Sequence, residues 1–178
     1  GSSGRPVGWT LTDHDVAVID ANTLALDYID HMMNACMAVD VNPANGLISV
    51  VGTDATNEVR FEPVVNGKFL RVNIAFGDPD SLVTTAIEDL NGAHAGNYVS
   101  NTIPLAEREK SIGDPRGIQW NAAGTRAYIT GMGSNNMIVV DATGERAGLS
   151  DTIELREGPT GLKLDETRGQ AYVLNRFH

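Results

Sequence analysis

A short hairpin pattern recurs along this chain at spacings that leave it few folds. Val41–Gly52 (VNPANGLISVVG), Trp120–Gly131 (WNAAGTRAYITG) and Leu164–Asn175 (LDETRGQAYVLN) align without gaps. The first and second copies lie 79 residues apart and the second and third 44. In each copy an apolar strand ends at Asn or Asp. Four or five small and polar residues follow, with Gly where a positive φ is needed, and then a run rich in β-branched and aromatic residues. That is one β-hairpin written three times.

Two further elements keep step with it. Met137–Thr143 (MIVVDAT) and Val16–Thr23 (VAVIDANT) are apolar strands that stop at Asp, and their aspartates, Asp141 and Asp20, are 121 residues apart. Pro115-Arg116-Gly117 and Pro159-Thr160-Gly161 precede the second and third hairpins; the first copy has Cys36-Met37-Ala38 instead. No sustained 3.6-residue periodicity supports helical repeats, and 19 glycines and 7 prolines suit many short strands. Several strands per 40–45 residues is the signature of an all-β propeller built from antiparallel four-stranded blades.

The motifs resemble the YVTN (surface-layer) repeat β-propeller family. Its repeats run Pro-x-Gly, apolar strand, glycine turn, Tyr-Val-x-Asn, tight turn, then Val-x-Val-Ile-Asp-x-x-Thr. Tyr172-Val173-Leu174-Asn175 keeps three of the four name-giving letters, Tyr128-Ile129-Thr130-Gly131 is looser, and Val16–Asp20 and Ile138–Asp141 supply the closing strand. These matches cover residues 15–60 and 112–178.

Residues 1–12 read as a tag or linker and lead-in, with Gly1-Ser2-Ser3-Gly4 excluded from the fold, and 13–178 as the partial propeller. The expected order is an outer strand at 15–20, one blade, a second blade and the first two strands of a third. The 79-residue offset exceeds one blade by about 35 residues, which matches residues 77–111 in length. That turn-rich segment reads as a long inter-blade insertion, or alternatively as a degenerate extra blade. Complete propellers of this family have about seven blades. The chain therefore reads as a fragment of a longer one, whose open sheet edges imply a homo-oligomer or a longer parent chain.

The net charge of −10 repels phosphate backbones and anionic membranes. No apolar run approaches the roughly 20 residues that cross a bilayer. No signal peptide is visible, and the single cysteine, Cys36, forms no intrachain disulfide. Cys36 lies in the apolar run 35–39 and reads as core; a catalytic thiolate would want basic neighbours, and none is nearby in sequence.

Candidate chemistry is sparse. His14, His31, His94 and His178 lack the spacing of metal or haem motifs. Asp78-Pro79-Asp80 offers oxygens for calcium but lacks the full Asp-x-Asp-x-Asp-Gly series, and turn capping explains it equally. The resemblance places Arg116, and by alignment Thr160 and Cys36, near the propeller axis. There Arg116 either holds an anionic ligand or, the favoured reading, pairs with Asp114 or another inner-strand carboxylate. Gly131-Met132-Gly133-Ser134 falls at a hairpin turn with no following helix to bind phosphate. The candidate ligand-binding residues are thus Arg116, Asp114, Thr160 and His94, with Asp78 and Asp80 for calcium; no catalytic group and no other cofactor is assigned.

The resemblance implies a periplasmic, cell-surface or secreted bacterial module. It is read as non-catalytic, binding a protein or small ligand through its inter-blade loops. The rival expectation is the propeller portion of a redox enzyme (quinoprotein or di-haem cytochrome-associated) or of a lactonase-type enzyme.

Overall fold

A computed structural model describes residues 13–60, 66–97, 103–148 and 151–177. They form an all-β, propeller-like fold of antiparallel sheets. In chain order the strands are β1 (Val16–Ile19), β2 (Leu26–Ile29), β3 (Ala35–Val41), β4 (Ile48–Arg60), β5 (Asn66–Asp78), β6 (Val83–Asp89), β7 (Pro115–Trp120), β8 (Arg126–Gly131), β9 (Asn136–Asp141), β10 (Ile153–Glu154), β11 (Pro159–Asp165) and β12 (Gln170–Asn175). A 3-10 turn at Gly92–Asn97 and a one-turn helix, α1 (Leu105–Arg108), lie between β6 and β7. Two sheets are complete, β3-β4-β5-β6 and β7-β8-β9-β10; β1-β2 and β11-β12 are two-stranded.

Alternation along β4 and β5 explains why the sheets stack face to face. Ile48, Val50 and Ala75 join Ile29, Met32 and Met33 in a core shared with β1-β2. Val51, Ile74 and Phe76 point the other way, into a core shared with Ile118, Trp120, Ala127, Ile129, Ile138 and Val140 of the next sheet. Each sheet thus hides one apolar face against each neighbour, as a two-residue period requires. The closest approach between successive sheets runs through their first strands, with β7 against both β3 and β11.

The repeated punctuation has local causes. Positive φ occurs at Gly46, Gly124 and Gly169, one in each hairpin turn. The Asn or Asp that ends each first strand folds back onto its turn. Asn42 Oδ1 accepts from Ala44 N at 2.9 Å and Asn121 Oδ1 from Thr125 N at 2.9 Å. Asp165 Oδ1 accepts from Arg168 N at 3.1 Å. Asp20 and Asp141 do the same after the third strands, accepting from Thr23 N at 2.7 Å and Thr143 N at 2.8 Å. The Pro-x-Gly sites mark register shifts between Pro115 and Gly117 and between Pro159 and Leu162, and the same shift occurs between Cys36 and Ala38. The first hairpin therefore keeps the bulge that its sequence had disguised.

One joint repeats between sheets. Asp40 Oδ2 accepts from Trp120 N at 2.7 Å, and Gln119 Oε1 accepts from Leu164 N at 2.8 Å. Asp40 and Gln119 are equivalent positions, so a side-chain oxygen of each first strand captures a backbone N–H of the next. Lys163 holds the third position; it is exposed and is a donor, so the series stops there. The turns are stitched as well: Asn42 Nδ2 donates to Gly124 O at 3.0 Å. A Cβ at Gly124 would lie 2.2 Å from Asn42 Oδ1 and 2.5 Å from the Ala44 Cβ, at a φ of +64°. Gly124→Ala is expected to lower stability by about 2–3 kcal/mol, from left-handed strain plus the collision; urea unfolding reads it directly.

The segment 77–111 divides differently from the insertion read above. Residues up to Asp78 finish β5, and Val83–Asp89 form β6, the fourth strand of the first complete sheet. The surplus length lies in two other places. One is the connection from Leu90 to Asp114. The other is the β4-β5 hairpin, whose arms are 13 residues each. β3 pairs with β4 only as far as Thr53, and β6 pairs with β5 only from Asn73. Beyond those points the two arms run on as a ribbon that neither β3 nor β6 reaches. The first sheet also differs from a lone outer strand at 15–20, because β2 pairs with β1 along its whole length.

Candidate functional site: a fastened connection and a projecting ribbon

The 90–114 connection is closed at its base largely by side chains that hydrogen-bond to backbone. Asn91 Nδ2 donates to Ile112 O and Asn91 Oδ1 accepts from Ile112 N, both at 2.9 Å. One amide therefore ties the two ends together in strand-like fashion. Asn136 Nδ2 donates to Ser111 O at 3.0 Å, and Leu90 N donates to Val72 O at 2.8 Å. Asp89, which pairs with Arg71 at 2.8 Å, also accepts from Asn91 N at 2.8 Å.

Arg146 reaches in from the turn after β9. Its Nη1 donates to Lys110 O at 3.0 Å and more weakly to Leu90 O at 3.5 Å, and its Nη2 donates to Thr152 Oγ1 at 2.7 Å. Burial pulls its pKa down, partly offset by the charge of Asp151. Under this cover sits His94, only 1% exposed. Neither ring nitrogen has a hydrogen-bond partner among the described residues, and Nδ1 stands 3.9 Å from Glu107 Oε2. Burial lowers the His94 pKa and the Arg146 charge lowers it further, against smaller opposing pulls from Glu107 and Asp89. The imidazole is accordingly held neutral. Its protonation is therefore disfavoured in the folded chain.

The other expected site residues are scattered. Arg116 Nε donates to Asp114 Oδ1 at 2.9 Å, the structural pairing anticipated for it. Thr160, at the matching position on β11, donates to Leu174 O at 3.3 Å, and its own carbonyl accepts from Thr130 Oγ1. Arg116, Asp114 and Thr160 thus lie near the bulged starts of neighbouring first strands, whereas His94 belongs to the connection. Asp78 accepts from Asp80 N at 2.9 Å and Ser81 Oγ at 2.7 Å, which hold its carboxyl below the usual range. That carboxylate reverses the chain between β5 and β6. Among the described residues no group of three or more His, Cys, Asp and Glu side chains is placed to hold a metal. His178 lies outside the described residues.

Burial pushes the Cys36 thiol up to about 11, with Asp15 adding to the shift. Alkylation by iodoacetamide at pH 8 is therefore expected to run at least tenfold slower than for a free thiol of ordinary pKa, because only the thiolate reacts. A rate matching free cysteine would contradict this. No helix among the described residues is long and apolar enough to cross a membrane.

Sequence reading passed over the ribbon. Phe69 is 50% and Leu70 63% exposed on its returning arm, β5. The available signal was the pair of long strand-like runs on either side of residues 61–65.

No family model matches the sequence, and no curated protein matches it. Among solved structures, the chain is similar to Kuenenia stuttgartiensis hydrazine synthase, a β-propeller-containing protein, at 13% identity and a TM-score of 0.55. The likeness covers 90% of this chain and 55% of that one, so the chain spans about half the length of its neighbour. At this identity the likeness shows a shared fold and no more.

Proposed function

We propose that the chain is part of a YVTN-like β-propeller that serves as a non-catalytic binding platform, in a secreted or envelope protein, with the ribbon as its contact arm. The observation that carries this reading is a two-stranded arm continuous with a rigid sheet and bearing exposed Phe69 and Leu70. Aromatic and aliphatic side chains presented on a stiff element make anchors at low ordering cost. The sheets supply rigidity, and the connection at 90–114 supplies a second, polar surface beside the arm's base. The acidic charge favours a protein or small-ligand partner over nucleic acid.

The test uses the immobilised chain as bait in an extract of the source cell's envelope, compared with a Phe69→Asp/Leu70→Asp variant of unchanged circular dichroism. A protein retained near stoichiometrically by the parent and lost from the variant supports the reading. Equal retention by both, or retention by neither, overturns it.

A further inference from the structure

The chain carries three Asn-Gly steps, Asn45-Gly46, Asn66-Gly67 and Asn91-Gly92. At such a step no Cβ shields the glycine nitrogen from the asparagine amide before it. In the first hairpin the pair has a structural reason. Gly46 has a φ of +76°, and its N–H donates to Asn42 O at 2.8 Å, so the turn needs glycine there and holds its nitrogen. Gly67 pairs with Val59 within the ribbon. Gly92 has neither reason. Its φ lies outside the left-handed region, and a Cβ there would meet nothing within 4 Å. Among the described residues no hydrogen bond holds its N–H.

Asn91, by contrast, is bonded through every polar atom it has. Its Nδ2 and Oδ1 hold Ile112 O and Ile112 N at 2.9 Å each, its carbonyl accepts from His94 N at 2.8 Å, and its N–H donates to Asp89 Oδ1 at 2.8 Å. The residue that fastens the 90–114 connection is thus followed by a glycine that the backbone does not require. We propose that Asn91 is a deamidation site, and that its conversion irreversibly unfastens the connection. The proposal does not depend on what the ribbon binds.

The reaction needs only water. The Gly92 nitrogen attacks Asn91 Cγ; the N–Cγ bond forms, the Cγ–Nδ2 bond breaks, and Nδ2 leaves as ammonia with the proton from Gly92. Water then opens the cyclic imide at either carbonyl. Opening at Cγ gives aspartate. Opening at the other carbonyl gives isoaspartate, with the main chain rerouted through the side-chain carbon. Aspartate puts an acceptor oxygen where Nδ2 donated, facing Ile112 O and close to the Asp89 carboxylate. Isoaspartate lengthens the backbone by one carbon and moves the carbonyl that His94 N holds. Either product undoes the tie between the two ends. Beyond it lies His94, 1% exposed and with no hydrogen-bond partner for its ring among the described residues, so little else keeps that turn in place. The clasp also sets the rate. While Ile112 holds both amide atoms, the amide is not free to turn toward Gly92, so the reaction draws on the locally opened state.

The experiment ages the 178-residue chain in mildly alkaline buffer, maps aspartate and isoaspartate at the Asn-Gly steps by peptide mass spectrometry, and follows hydrogen exchange. Asn91 is expected to convert about tenfold more slowly than in a free peptide of the same sequence, the protection that two hydrogen bonds supply. Arg146→Gln, which loosens the cover over the connection, is expected to raise the Asn91 rate about threefold or more and to leave Asn45 unchanged. Gly92→Ala, which the open space admits, is expected to suppress conversion about tenfold or more with unchanged circular dichroism. In the aged protein, and in Asn91→Asp made directly, exchange is expected to rise at the His94 and Ile112 N–H groups that Asn91 holds, and to stay unchanged at Val50–Val51 in the core. Conversion at the free-peptide rate, no conversion at Asn91 while Asn45 converts, or a Gly92→Ala rate equal to the parent's overturns the proposal. So does exchange in Asn91→Asp that matches the parent, or that rises in the core as much as in the connection.

Discussion

Trp120→Ala is expected to lower the unfolding free energy by about 3–5 kcal/mol, the range for emptying a buried aromatic site. Trp120 is 4% exposed and belongs to the larger core, between the two complete sheets. Its indole Nε1 donates to Ser49 Oγ at 3.0 Å, and Ser49 is fully buried. Truncation therefore leaves a cavity and strands a buried hydroxyl in the facing sheet. Because the lost contacts lie in the joint, the damage should reach both sheets equally. Hydrogen exchange is expected to rise together at Val50–Val51 and at Ile129–Ile138. Trp120→Phe restores most of the volume but not the indole donor, and should recover well over half of the loss. A loss below 1 kcal/mol for the alanine variant would show that the two sheets do not depend on this contact.

Arg146→Gln is expected to cost about 3 kcal/mol, given that charged hydrogen bonds contribute about 1.5–3 kcal/mol each and that Lys110 O and Thr152 Oγ1 would both lose a charged donor. The same change should raise the His94 pKa, because the Arg146 charge is one of the two influences that lower it. In the parent protein His94 is depressed below its ordinary 6.5, so the folded state takes up its proton later than the unfolded state does. Above pH 6.5 it contributes no pH dependence. As pH falls through 6.5 toward the folded-state value, the unfolded chain binds more protons and stability drops. Charged groups facing the imidazole are Arg146 from the turn after β9, Glu107 from α1 and Asp89 at the end of β6. Histidine NMR titration with urea unfolding at pH 7.5 and 5.0 checks both parts. A stability rising toward pH 5.0, or a His94 pKa unmoved by Arg146→Gln, would contradict them.

The parts of the fold that local chemistry dictates were legible. Asn42, Asn121 and Asp165 announced their turns because a short side chain that caps its own turn leaves a fixed offset to the next strand. The paired wings of Arg116 and Asp114 were legible because only two residues separate them. The Asp40 and Gln119 joints were not. A carboxylate and an amide do the same job at equivalent positions, so identity carries no signal, and the donor lies 80 or 45 residues away. The ribbon was missed because pleated alternation says that a strand continues, never where its partner stops. His94 was named for its polarity, yet its burial depends on Arg146 and Asn91 closing the connection above it, a tertiary fact. The assumption of one fixed repeat length misplaced the surplus, since the growth occurred inside a hairpin as well as between sheets.

β4 and β5 run as continuous strands from the ribbon, past a bulge between Ala55 and Glu58, into the first complete sheet, which makes that arm a lever anchored between two cores. Val50 and Ala75 grip one hydrophobic layer and Val51 and Ile74 the other. A load applied near Phe69 is thus delivered to both layers at once through covalent backbone, with no loop to absorb it. Whatever takes hold of the tip pulls on the whole body.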